Sequence, residues 1–366
     1  MFMKAPVLHR IREPLIVENV QLDEPRQGEV MVKMTASGVC HSCLHFADGS
    51  WAGAAERVPI VLGDEGAGVV ERVGPGVTRL SPGDHVILSW SMTCGRCHYC
   101  VIGRPVLCEN QPASGFMLDG TTRMHLRGKD VRHYGTVASY ASYSVVPEGC
   151  AVKIRKDMPL EKAALIGCSV MTGVGSVINT AAVPAGASLA VFGCGGVGLN
   201  AVQGGRLASA DPLIAVDINP KKLEFARAMG ASHLVHATAE DVPATIKRIT
   251  GRGADYAVVT VGDTRVVQQA WYSLAKGGTC VVVGLPPSDQ TITISPSALV
   301  GPERRMVGSS YGSARVMDDF SRMVNLYMSG KLRIDELITR RYGIDEATQA
   351  FHDLAAGENA RGLIVF

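Results

Sequence analysis

A chain of 366 residues is long for a single hydrophobic core, so two domains are expected. Charged residues make up 19% and hydrophobics 46%, an ordinary globular profile, and Lys+Arg 36 against Asp+Glu 34 leaves a net charge of +2. That balance gives no electrostatic case for a nucleic-acid or membrane partner, and the opening MFMKAPVLHR has no apolar signal core, so a cytoplasmic location is expected.

Residues 1–90 carry short β-type runs at Pro14–Val20, Val30–Thr35, Val69–Val73 and His85–Leu88, broken by Gly/Pro turns. This pattern predicts a small, partly closed β barrel. Inside it lies an odd polar and sulfur-rich stretch holding Cys40, His41, Ser42, Cys43 and His45. Then come Cys94, Cys97, Cys100 and Cys108. Without a secretory signal, four thiolates this close fit a closed tetrahedral Zn²⁺ shell, a structural site with no position for substrate. Residues 109–135 read as a long polar loop, followed by a strand at Tyr143–Pro147 and a helix beginning at Glu161–Ile166.

From Ala163 to Gly205 no charged residue occurs, which is long enough to suggest a membrane span. Glycines, Asn179, Thr180 and Pro184 interrupt it, so buried helix, turn and parallel strand is the better reading. The strand 188–192 runs into Gly193, Gly195, Gly196, Val197 and Gly198, then a helix, then strand 213–216 ending on Asp217. Each glycine has a job: a tight turn, room for a pyrophosphate, and close packing of helix on strand. Asp217, about 20 residues on, suits the adenosine ribose diol and repels a 2′-phosphate, so NAD is expected rather than NADP. A helix opened by Asn219-Pro220 and closed by Gly230, strand 256–261, a helix near 265–275 and strand 279–285 continue a doubly wound sheet. The helix Val316–Met328 and the run Gly362–Phe366 are expected to return to the first domain. There are no internal repeats and no low-complexity segment.

In this order, CHS, GDE, the four-cysteine lobe, LIGC and FGCGGVG resemble a medium-chain, zinc-dependent alcohol dehydrogenase over nearly the whole chain. Leu118-Asp-Gly-Thr-Thr-Arg123 is similar to the long-loop, usually dimeric branch. The resemblance implies a GroES-like partial barrel as the catalytic domain (residues 1–169 and 311–366) and a Rossmann NAD-binding domain (170–310). It implies a homodimer with one structural and one catalytic zinc per subunit, interconverting an alcohol and its aldehyde or ketone. The catalytic ligands fall on Cys40, position 64 and Cys168. Ser42 and His45 match a proton relay through the nicotinamide ribose. Glu65 matches an acid able to swing onto the metal. Arg361 matches its partner and, with His41, a pyrophosphate contact. Thr172, Val261 and Val283 match the nicotinamide half, and Lys222 the adenosine ribose.

Two departures stand at the metal. Position 64 is Asp where the family has His, and position 43 is Cys where the family has an acid that orients that His. The pair reads as coupled, since a carboxylate that binds directly leaves an imidazole orienter with nothing to do. Asp64 binds the zinc, leaves that to Glu65, or marks a site that has lost its metal; the first is the expectation. By position, Trp51, Trp90, His133 and Tyr134 should wall the substrate pocket, suiting an aromatic or polar-ringed alcohol. The alternative is a reductase of a conjugated C=C bond on the same frame with an altered or missing catalytic zinc.

Overall fold

The structure, a computed structural model, describes residues 1–287, 289–357 and 359–366. It divides into one unit of Met1–Cys168 with Arg315–Phe366 and a second of Ser169–Ala314.

The first unit is β-rich. Strands Phe2–Leu8, Ile16–Leu22, Met124–Leu126, Lys129–His133 and Ile60–Val61 close into a barrel. Alternate side chains point inward, and Met3, Ala5, Val7, Val20, Leu22, Val61, Met124 and Val131 fill it. Beside the barrel lies a seven-stranded sheet centred on Glu29–Gly38, which pairs with Gly66–Val73, Tyr143–Pro147 and the C-terminal strand Arg361–Val365. The last strand runs antiparallel to Glu29–Gly38, with Leu363 opposite Gly38. Both the closing run and the helix Val316–Met328 therefore belong to this unit.

Residues 109–135 differ from the expectation of a long loop. Met124–Leu126 and Lys129–His133 form a hairpin that completes the barrel. What anchors it is a charge rather than apolar alternation. Arg123 is 1% exposed and donates through Nε to Glu29 at 2.9 Å and through Nη2 to Glu29 and Asp119 at 2.6 and 2.8 Å. A buried guanidinium is tolerated only when its fork is filled in this way.

The second unit is a six-stranded sheet, all parallel, in the order His233–His236, Leu213–Asp217, Leu189–Phe192, Ala254–Val259, Leu274–Val282, Arg305–Gly308. Its strands read as near-continuous apolar runs because both faces are covered. Helix Pro220–Met229 starts where the sequence says it should. Asn219 accepts a hydrogen bond from Lys221 N–H, Pro220 takes the first turn, and Gly230 ends it at φ 120°. The first part of the uncharged stretch lies in a helical run, Leu160–Thr180, long and apolar enough to cross a membrane, yet its most apolar window is 72% buried within the protein.

Candidate active site

Three distant segments of the first unit deliver one cluster. Cys40 caps the short helix His41–Ala47, Asp64 follows strand Ile60–Val61, and Cys168 lies in a π-helical turn, Ile166–Val170. Such turns are rare and concentrate at functional sites. The sulfurs of Cys40 and Cys168 and a carboxylate oxygen of Asp64 all lie within 4.8 Å of one another. Asp64 is 4% exposed and Cys40 8%. The Cys40 hydrogen bond, then burial, then the negative charges of Cys40, Asp64 and Glu65 push the Cys168 thiol well above its usual range. Anionic donors crowded in a buried place are what a divalent cation relieves.

Glu65 stands beside this cluster, fully buried, in an ion pair with Arg361, itself 3% exposed. Gly38 makes the room: a Cβ there would collide with the Glu65 carboxylate. Burial alone would lower the Arg361 pKa, but Glu65, Cys40 and Cys168 around it hold the guanidinium above its usual value.

Ser42 Oγ lies 2.7 Å from Asp64 Oδ2 and 3.1 Å from Cys40 Sγ. His45 is 48% exposed, with Nδ1 3.7 Å from Asp48, and His41 is exposed on the same helix. Sequence reasoning misses Tyr140. Its hydroxyl donates to Gly38 C=O at 3.1 Å and accepts from Cys40 N–H at 3.2 Å, so it ties down the backbone that presents the first sulfur. No local motif marks a residue that is brought in by the far end of the barrel.

Among the four expected pocket rings, two are in ring contact. Trp51 and Tyr134 meet edge-on at 6.4 Å, and Phe46 meets Tyr134 at 5.5 Å. The Tyr134 phenol is pushed well up by burial, then by Cys43 and Asp64 nearby, and stays a protonated donor. Trp90 borders Gly135. His133, the last residue of strand Lys129–His133, accepts Arg123 N–H at Nε2, 3.2 Å, while 1% exposed. Burial and the Arg123 guanidinium lower its pKa to about 3, and it packs into the polar anchor around Arg123.

The second cluster in this unit is local. Cys94, Cys97, Cys100 and Cys108 come together within 4.8 Å, with sulfur–sulfur distances of 3.8 Å (Cys94–Cys100) and 3.9 Å (Cys97–Cys108). Tetrahedral zinc with Zn–S of about 2.3 Å needs sulfurs about 3.8 Å apart, so the set fits. Hydrogen bonds from the Arg96 and Cys97 amides lower the Cys94 pKa to about 6, readying a thiolate.

In the second unit the turn after Leu189–Phe192 fits a dinucleotide. A Cβ on Gly198 would strike the Gly193 carbonyl, whereas at Gly195, the cap of helix Gly196–Leu207, nothing lies within 4 Å. Space is left where a pyrophosphate must approach the helix N-terminus. Asp217 accepts from Cys194 N–H at 2.7 Å and Asn219 N–H at 2.8 Å, which fixes its carboxylate at the end of its strand with lone pairs to spare. Val261 and Val283 follow the C-terminal ends of the next two strands, and Thr172 lies on helix Met171–Gly175. Lys222 is half-buried on the helix after Asp217.

A family model described as the GroES-like domain of alcohol dehydrogenases matches residues 26–156, and one described as zinc-binding dehydrogenase matches residues 196–329. The chain is 41% identical to an NDMA-dependent alcohol dehydrogenase of Amycolatopsis methanolica, over 99% of this chain and 98% of that one. It is 39% identical to an alcohol dehydrogenase class-3 of Cereibacter sphaeroides, over 99% of each. Among solved structures, benzyl alcohol dehydrogenase from Acinetobacter calcoaceticus superposes with a TM-score of 0.94 at 31% identity, covering 100% of this chain and 99% of that one. With the barrel, the parallel sheet and both cysteine clusters in place, this chain belongs to the medium-chain, zinc-binding alcohol dehydrogenase family.

Proposed function

We propose that the protein is an NAD-dependent, zinc-holding alcohol dehydrogenase that interconverts a ring-bearing alcohol with its aldehyde or ketone. The observation that carries this reading is the cluster of Cys40, Asp64 and Cys168, three donors with a hydroxyl at its edge. Three protein ligands leave a fourth position open, the arrangement of a catalytic rather than a structural zinc. Zinc there supplies Lewis acidity to an alcohol oxygen, and the nicotinamide accepts the hydride.

The chain's own residues do the rest. Ser42 Oγ spends its one hydrogen on Asp64 Oδ2 and keeps lone pairs for the proton of the incoming alcohol. As it took that proton Ser42 would pass its own hydrogen on through the nicotinamide ribose, and His45, exposed on the same helix, is the solvent end of that relay. Trp51 and Tyr134 offer two aromatic surfaces edge to face, which favour a planar ring over a short alkyl chain. One relative by structure bears the name benzyl alcohol dehydrogenase, which supports a ring-bearing substrate. Asp217 selects NAD.

The test is kcat/KM for benzyl alcohol against ethanol with NAD and with NADP, with NDMA as a further arm because one relative is named for it. A preference of about 10-fold or more for the aromatic alcohol and for NAD is expected. Equal efficiency with both coenzymes, or turnover of an enone but of no alcohol, defeats the reading.

A further inference from the structure

Asp64 is held from two sides. Ser42 Oγ–H donates to Oδ2 at 2.7 Å, and the Cys43 thiol donates to Oδ1 at 3.6 Å. Cys43 is fully buried, packed among Cys40, Phe46, Tyr134 and Tyr140. A carboxylate can only accept, so the side chain facing it must bring a hydrogen. A thiol brings one. An acid at position 43 would set a second carboxylate against the first, and in so buried a place one of the two would be driven to take up a proton.

The sequence alone suggests that a directly binding carboxylate needs no orienter, but the geometry shows that it has one. We infer that Cys43 is a positioning residue: its thiol, opposite the Ser42 hydroxyl, fixes the rotation of the Asp64 carboxylate so that a lone pair faces Cys40 and Cys168. The inference rests on the proposal that these three residues hold a metal. A monodentate carboxylate free to rotate would share that metal poorly, and partners behind a ligand commonly account for a factor of about 10–100 in affinity. Ser42 alone cannot do this work: it reaches only Oδ2, and its Oγ also lies 3.1 Å from Cys40 Sγ.

The experiment compares the full-length protein with Cys43→Ala, Cys43→Ser and Cys43→Asp. Metal content is measured by mass spectrometry, affinity by chelator competition, and ligand geometry by the visible bands of Co²⁺ placed in the weaker site. Cys43→Ala should bind metal at the Cys40–Asp64–Cys168 set about 10–100-fold more weakly and shift the cobalt bands, with the four-cysteine set still loaded. Cys43→Ser, which restores a donor, should recover most of the affinity, and Cys43→Asp should bind more weakly than the alanine variant. A loaded four-cysteine set and an unchanged melting temperature of the metal-depleted forms show that each variant is folded. An alanine variant with affinity within about twofold of the parent and unchanged cobalt bands overturns the positioning role while leaving the metal site standing. A parent that takes one metal only, in the four-cysteine set, overturns both.

Discussion

The two cysteine clusters of the first unit are built on opposite plans. In the four-cysteine lobe every donor comes from residues 94–108; Cys94, Cys97 and Cys100 are half-buried and Cys108 is buried. Neighbouring amides prepare two of the thiols locally, taking Cys94 to about 6 through the Arg96 and Cys97 N–H groups and lowering Cys97, whereas burial raises Cys100 and takes Cys108 up to about 12. In the other cluster the donors come from Cys40, Asp64 and Cys168, and the hydrogen bond with Cys40, then burial and mutual repulsion, push the Cys168 thiol up. One site is assembled by turns, the other by a whole barrel and sheet. A locally built site needs its metal to hold its shape. A site built by the fold keeps its shape and can leave one position of the metal free.

Several changes would break or sharpen that contrast. The largest effect is expected from Asp64→Ala. Losing a ligand of the fold-built site forfeits several kcal/mol of transition-state stabilisation, a fall in kcat/KM of about 10³-fold or more. Metal analysis should then show one zinc lost and the four-cysteine zinc retained, with NAD binding by fluorescence titration unchanged. Cys100→Ala should do the reverse. The lobe loses its metal and the melting temperature drops by on the order of 10 °C, while the deuterium isotope effect on hydride transfer is unaltered. A variant that melts normally but slows only the hydride step would erase the distinction.

Tyr140→Phe is subtler. It leaves the Cys40 N–H without its 3.2 Å acceptor, which should cost about 1–3 kcal/mol in chemical denaturation. It should lower metal affinity at the fold-built site only.

An effect confined to acid pH lies outside both clusters. His133 is held at about 3 by burial and Arg123, against 6.5 when unperturbed. The unfolded chain therefore binds a proton between about pH 6.5 and pH 3 that the folded chain refuses, so stability falls as pH drops through that window. His133→Gln keeps the acceptor for Arg123 N–H but cannot titrate. It should be less acid-sensitive, gaining on the order of 1–3 kcal/mol over the parent near pH 4 in urea melts.

The same contrast decides what could be read in advance. Cys94 to Cys108, the glycine turn with Asp217 and the caps of helix Pro220–Met229 are legible because their physics is local and spacing encodes it. Cys40, Asp64 and Cys168 are legible only through resemblance, since nothing in their spacing says that they meet. The hairpin Met124–His133 reads as loop because its anchor is a buried Arg123–Glu29 pair, and a polar residue in sequence carries no sign that it will be buried. The contact of His133 with Arg123 was out of reach for a smaller reason: one position along a strand decides which face a side chain takes, and strand register is a property of the partner strands. The thiol behind Asp64 shows in sequence only as a missing acid.

The Glu65–Arg361 pair has a consequence for how the protein is made. Glu65 emerges early in synthesis and Arg361 only after the whole second unit has left the ribosome. At roughly 5–20 residues per second, about 15–60 s separate them. Through that interval the central sheet lacks its Arg361–Val365 strand, and the buried acid beside Cys40 and Cys168 has not met its arginine. The second unit, continuous in sequence, is free to fold during the wait. The first unit is thus interrupted by the second and can be completed only after it.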